Sequence, residues 1–407
     1  MPNQWKVFSF LAAALLCFSL KPSVCASGAQ EFSKADFQTF QNTLLNRFTE
    51  SVQNPSLPAP PPRLIGFFLD DWFLNPKAEV KDLLLKSLEK MSVRKNIDSA
   101  DRETSVEQSA FLLSLYAQAA VAFDDKHWRE EAGAQEAALA KRLEGSNGAQ
   151  AYDSSLAPAA GALAASALLR SGSFLDKPEW VSAGLAILDS IGDFPRKRTE
   201  NSSAPPARTF RDSSLLAACC LDAYEITGRE KYLDGALREA DDCAQKFGAF
   251  PDEKTASAKP GLEDRAGFAV TLLRSAFADP SGKNRKLGLQ AAAFVLKDSA
   301  AGGNLALEAE RARVFRWAAL YPVKMAVIGR IEGKDTVALR QAACRLPASF
   351  RVVEPLDPAV AAQKARLDEL GYPATEEAQV FLCTEKACSP PVSDPNELKK
   401  TFLMMAR

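Results

Sequence analysis

Histidine is almost missing from this chain: its 407 residues contain one, His127. An imidazole-based metal centre needs several histidines, and a Ser-His nucleophile needs one beside its serine. His127 sits next to Trp128 in a short turn, so neither chemistry is expected. Closely paired thiols are missing too. Eight cysteines occur, among them Cys219, Cys220, Cys243, Cys344, Cys383 and Cys388, and none has Cys-x-x-Cys spacing. That excludes a thioredoxin-type redox centre and a zinc ribbon. A basic excess is absent as well: 50 Lys and Arg against 51 Asp and Glu leave a net charge of −1. With no long Lys/Arg run, neither nucleic acid nor an anionic membrane surface is an expected partner. The segment Gly329-Arg330-Ile331-Glu332-Gly333 carries neither the dinucleotide glycine fingerprint nor a P-loop lysine. No cofactor and no metal are therefore expected.

What is present begins with an export signal. Lys6 precedes an apolar run over 7–20, and Val24-Cys25-Ala26 offers small residues for cleavage before Ser27, so 1–26 reads as a signal peptide and the mature chain as periplasmic or secreted. The apolar run is shorter than the ~20 residues a spanning helix needs, so no stable membrane anchor is expected.

From there to residue 321 apolar residues recur at helical spacing. Twelve helices are expected near 30–54, 62–74, 77–93, 105–123, 126–144, 153–171, 177–191, 212–227, 230–247, 262–278, 283–298 and 303–319. Their connections alternate in length. Short turns lie at Asn75-Pro76, Asp124-Asp125, 172–176, Thr227-Gly228-Arg229 and 279–282, while long loops lie at 54–61, 94–104, 144–152, 192–211 and 248–261. Short turns join antiparallel partners, so the helices pair as αα-hairpins and the long loops gather on the opposite rim. Helix starts at Glu107, Asp153, Asp212 and Asp264 are spaced 46, 59 and 52 residues apart, a period that marks stacked units. Trp128, Trp180 and Tyr232 on the second helices are expected between the inner and outer layers. The fold predicted for 27–321 is a mainly α (α/α)6 six-hairpin toroid. After Pro322, strands at 324–328, 350–355 and 378–382 alternate with helices, which predicts a small α/β domain over 322–407 with a three-stranded parallel sheet.

The tail from Gln379 to Pro395 joins a short strand, Cys383-x4-Cys388, Pro390-Pro391 and Ser393-Asp394-Pro395. With Arg211-Asp212-Ser213-Ser214-Leu215-Leu216, Ala223-Tyr224-Glu225-Ile226-Thr227-Gly228 and Tyr321-Pro322-Val323-Lys324-Met325-Ala326-Val327-Ile328-Gly329, it resembles the thioredoxin-domain-containing family typified by spermatogenesis-associated protein. That resemblance implies a thioredoxin-like domain joined to a six-hairpin toroid. Three departures stand out. No thioredoxin-like domain precedes the first helix. The family's Gly-Gly-Phe loop is replaced by Ser92-Val93-Arg94-Lys95-Asn96-Ile97-Asp98. Its His-Phe-Glu-Lys-Met-Leu-Tyr-Asp stretch keeps only Glu103 in the region 101–108.

Carboxylates remain as the chemistry-bearing residues. Glu103, Glu107, Asp153, Asp212, Glu263 and Asp264 fall at or near the starts of helices that follow long loops, with Tyr152, Arg211 and Arg265 beside them, so a closed toroid would turn them toward one cavity. Two such carboxyls can serve as acid and base on a glycosidic bond, and an aspartate at a helix start can equally be a cap. The function expected is that of an exported, non-catalytic toroid binding a glycan or a protein partner. The alternative is a carbohydrate-active enzyme working through the rim carboxylates. Cys383 and Cys388, exported and with four residues between them, are expected to form a disulfide.

Overall fold

The structure, a computed structural model, describes residues 32–54, 56–92, 102–144, 156–192, 208–247, 260–297 and 304–406. Among these lie fifteen helices and three strands. The expected signal segment falls outside them. The helical part runs α1 Lys34–Gln53, α2 Pro62–Leu74, α3 Ala78–Ser92, α4 Arg102–Phe123, α5 Lys126–Leu143, α6 Pro158–Leu175, α7 Pro178–Ile191, α8 Phe210–Thr227, α9 Glu230–Phe247, α10 Leu262–Ser275, α11 Lys283–Lys297 and α12 Leu305–Ala319. Helices α2, α4, α6, α8, α10 and α12 each pack on the next, and α12 returns to α2, closing an inner ring. Helices α3, α5, α7, α9 and α11 form the outer layer through the short turns, and α1 completes it by packing on α12. This is an (α/α)6 toroid.

Residue size explains the two layers. The inner helix α6 is rich in alanine and buried over most of its length, which lets neighbouring backbones approach. On the outer helices, glycine allows the same approach: a Cβ at Gly184 of α7 would lie 2.9 Å from the Ala165 carbonyl, and one at Gly288 of α11 would lie 2.8 Å from Leu273. Trp128, Trp180 and Tyr232 are buried between the layers, with Trp128 stacked on Tyr116 at 5.6 Å. Burying each contributes about 1.5–3 kcal/mol on the scale of a large apolar side chain.

Helix ends shift by a few residues, and α6 departs most from its expected bounds of 153–171. Helix α6 begins at Pro158 and continues to Leu175, through the segment expected to be a turn. Proline at the first helical position sets the start. Gly172 serves close packing and not a turn, since a Cβ there would lie 2.9 Å from both the Lys177 carbonyl and the Val181 side chain. The reversal falls on Asp176, in the left-handed region at φ 58°.

The C-terminal domain comprises β1 Val323–Ile328, α13 Lys334–Cys344, β2 Arg351–Leu356, α14 Ala361–Leu370, β3 Gln379–Cys383 and α15 Pro395–Met405. Strand order is β2-β1-β3. Strands β1 and β2 are parallel as expected, with Val323 opposite Arg351, but β3 is antiparallel to β1, with Lys324 opposite Cys383, so the sheet is mixed and not all-parallel. The reason lies in 372–378. Tyr372 touches Cys383 at the start of β1, whereas Ala378 lies against Gly329 at its end. That segment climbs beside the sheet before β3 begins, and a strand entered from there can only descend. Cys383 and Cys388 are joined as a disulfide that closes the turn after β3.

This domain covers the end of the ring where the inner helices finish. Gln118 and Tyr224 donate to the carbonyls of Pro347 and Pro355, Ser349 N–H donates to Asp70 at 2.9 Å, and Trp317 meets Phe350 edge-on at 5.0 Å. The bore of the toroid is therefore blind at that end, and the inner helices begin at the other.

Candidate functional site

Every inner helix begins at the rim opposite the C-terminal domain, so residues near its start surround the mouth of the bore and residues about eleven positions on lie at its floor. At 1.5 Å per residue that depth is about 16 Å. Spacings of three, four and seven keep one helix face toward the axis.

At the mouth, Glu107 and Asp264 meet on one guanidinium. Arg211 donates to Glu107 at 2.7 Å, and its Nε lies 3.8 Å from Asp264 Oδ1. That Nε is buried without a hydrogen-bond partner. Beside this group, Arg63 bridges Glu263 at 3.0 Å and Glu310 at 3.4 Å, with its guanidinium 4.8 Å above the Phe111 ring. Burial raises the Asp264 carboxyl above its usual range, with Arg211 and Arg63 opposing it.

Two of the expected carboxylates do other work. Asp212 Oδ2 accepts from Thr209 N–H at 2.9 Å and its hydroxyl at 2.7 Å, closing a capping box at the start of α8. Its Oδ1 accepts from Ala159 N–H at 2.9 Å, in the first turn of the neighbouring α6. Glu103 likewise accepts from Ala157 N–H at 3.0 Å. These side chains join inner helices. Arg265 is a correction: it is buried against the outer layer, donating to the Pro260 carbonyl and lying 4.6 Å from the Phe294 ring of α11. Following Asp264 by one position, it is turned off the inner face. Tyr152 and Asp153 lie outside the described residues.

The floor was not foreseen. Asp222 and Glu225 of α8 share Arg274 of α10 at 2.7 and 3.0 Å, and Glu225 also meets Arg351 of β2 at 3.3 Å. Ser166 donates to Asp222. Arg170 of α6 and Arg313 of α12 line the same cavity. Burial pushes Asp222 up, but Arg274 and Arg170 outweigh it and hold the carboxyl below its ordinary range. Burial pulls Arg274 down, and Glu225 and Asp222 overcome that. A signal for these residues does exist in the sequence, because a charge inside an otherwise apolar helix, such as Arg170 among Ala and Leu, must find a polar interior.

Cys219, Cys220, Cys243 and Cys344 are buried free thiols, and burial pushes Cys344 to about 11 and Cys243 to about 12, so none is a ready nucleophile. Among the described residues no group of three or more His, Cys, Asp or Glu is arranged to hold a metal ion, and no helix is long and apolar enough to cross a membrane.

No family model and no curated protein matches the sequence. Among solved structures the chain is similar to the GH76A α-1,6-mannanase from Salegentibacter sp. HEL1_6, at 11% identity and a TM-score of 0.52 over 69% of this chain and 98% of that one. It is also similar to an inactive variant of that mannanase, with two adjacent aspartates changed to alanine, in complex with α-1,6-mannotetrose, at 12% identity and a TM-score of 0.51 over the same shares. Likeness at this identity establishes the toroid fold and leaves the chemistry to the residues of this chain.

Proposed function

We propose that the protein takes a saccharide through the long-loop rim into the blind bore of its toroid, as an exported carbohydrate-binding protein. The observation that carries this reading is the paired arrangement at the mouth, where Glu107 and Asp264 share Arg211 while Glu263 and Glu310 share Arg63. Carboxylates and guanidiniums held by one another at the entrance of a concave site offer fixed acceptors and donors to sugar hydroxyls. The mannanase with its bound tetrasaccharide supports a glycan ligand for a bore of this architecture. Calorimetric titration of the mature protein with manno-oligosaccharides and a wider glycan panel tests it. A saccharide is expected to bind, and Glu107→Gln is expected to weaken it at least tenfold without lowering the melting temperature. Absence of binding across the panel, or unchanged affinity in Glu107→Gln, would overturn the reading.

Hydrolysis of a glycosidic bond is a second reading, favoured by the raised Asp264 carboxyl facing Glu107 across Arg211. Asp264, carrying its proton further up the pH scale, would donate to the leaving oxygen. Glu107, positioned by Arg211, would activate water or attack the sugar carbon. Reducing-sugar release should then fall about 10²–10⁴-fold in Asp264→Asn. Binding without turnover on every saccharide in the panel would leave the binding protein and remove the enzyme.

A further inference from the structure

At the floor of the bore one guanidinium is left without a hydrogen-bonded carboxylate. Arg170, Arg274, Arg313 and Arg351 line one cavity with Asp222 and Glu225. Both acids are engaged with Arg274, and Glu225 with Arg351 as well. Arg313 is held by Glu310 at 3.1 Å. Arg170 is left over: among the described residues it makes no hydrogen bond or ion pair, and its one contact of this kind is the Phe174 ring at 5.9 Å. A guanidinium has five donors in a planar fork, and leaving them unmet inside a protein is costly. Burial pulls the Arg170 guanidinium down, only partly offset by Asp222 and Asp70 nearby. The cavity measures about 40 Å³. That is on the order of three water positions, room enough for a carboxylate group.

We propose that the bore floor is an oxyanion site in which Arg170, flanked by Arg274 and Arg313, takes a carboxylate. A single uncompensated fork matches one planar, singly charged carboxylate through two parallel hydrogen bonds, a better fit than a phosphate dianion. The carboxylate can come from a free small acid or from a uronic acid at the buried end of a saccharide. The second source rests on the saccharide reading above, and the first does not.

The test uses the full mature chain with four probes: glucuronate, glucose, an oligosaccharide ending in uronic acid, and the same oligosaccharide with its carboxyl reduced to an alcohol. Melting curves and calorimetric titrations are run on wild type, Arg170→Gln and Arg170→Lys. Glucuronate is expected to raise the wild-type melting temperature and glucose is not. Carboxyl reduction, or Arg170→Gln, is expected to lower oligosaccharide affinity at least tenfold, and Arg170→Gln without ligand should melt no lower than wild type. If the reduced and acidic oligosaccharides bind equally, the oxyanion site is overturned and the saccharide reading stands. If glucuronate binds through Arg170 while neither oligosaccharide binds, the site stands and the saccharide reading fails. If no probe binds, both fail. Should Arg170→Gln not fold, the comparison of the two oligosaccharides on wild type and Arg170→Lys decides.

Discussion

Asp212→Asn separates a structural carboxylate at the mouth from a functional one. The wild-type side chain, 7% exposed, uses both oxygens. Oδ1 takes Ala159 N–H at 2.9 Å, and Oδ2 takes Thr209 N–H at 2.9 Å and its hydroxyl at 2.7 Å. An ordinary exposed cap retains most of its energy on a change to asparagine, because one oxygen suffices. Here one oxygen becomes an NH₂ group facing an N–H donor, whichever way the amide is turned. One or two hydrogen bonds to an anionic acceptor are lost, each about 1.5–3 kcal/mol, so a total cost of about 2–4 kcal/mol is expected. The contact that joins α8 to α6 weakens, and the melting temperature should fall by several degrees. Urea denaturation of wild type, Asp212→Asn and Asp212→Ala measures the loss, and titration with the saccharide found above measures function. Affinity is expected to hold in whatever fraction remains folded. A stability change below about 0.5 kcal/mol would refute the two-helix staple. Lost binding at unchanged stability would move Asp212 into the site.

Other outcomes follow from the same contacts. Arg274→Met should cost about 3–5 kcal/mol in thermal or chemical unfolding, because it strips the buried Asp222 of its ion-pair partner and leaves Glu225 only Arg351. Burial raises the folded Asp264 carboxyl above its unfolded value, so its contribution to stability is complete below the unfolded pKa and is lost as pH rises through the folded one. Melting curves across pH should accordingly show Asp264→Asn more stable than wild type near neutrality, with the difference fading toward pH 4. Replacing Cys383 and Cys388 by serine should lower stability by about 2 kcal/mol on the chain-entropy model, checked by unfolding after mass spectrometry has established the bond in the parent protein.

The toroid was legible because its evidence is local. A short turn such as Asn75-Pro76 forces antiparallel neighbours, and burial at every third or fourth residue decides which face turns inward. The mixed sheet was not legible in the same way. Whether β3 enters beside the start or the end of β1 depends on where 372–378 runs, and nothing in Tyr372-Pro373-Ala374 states that path. The mouth stands between these cases. Sequence places Glu107, Asp212 and Asp264 at helix starts equally well, yet the angle of each around its helix decides that Glu107 and Asp264 meet at Arg211 while Asp212 reaches backbone amides of α6. The floor is the hardest, because Arg170, Asp222 and Arg274 stand on three helices whose relative heights are set only when the ring closes, and Arg351 arrives with the covering domain. A single-chain reading can still register that these charges sit where apolar residues would be more stable. Since a buried charge persists only if something meets it, Arg170, which has no hydrogen-bond or ion-pair partner among the described residues, is the one that points outward from structure to ligand.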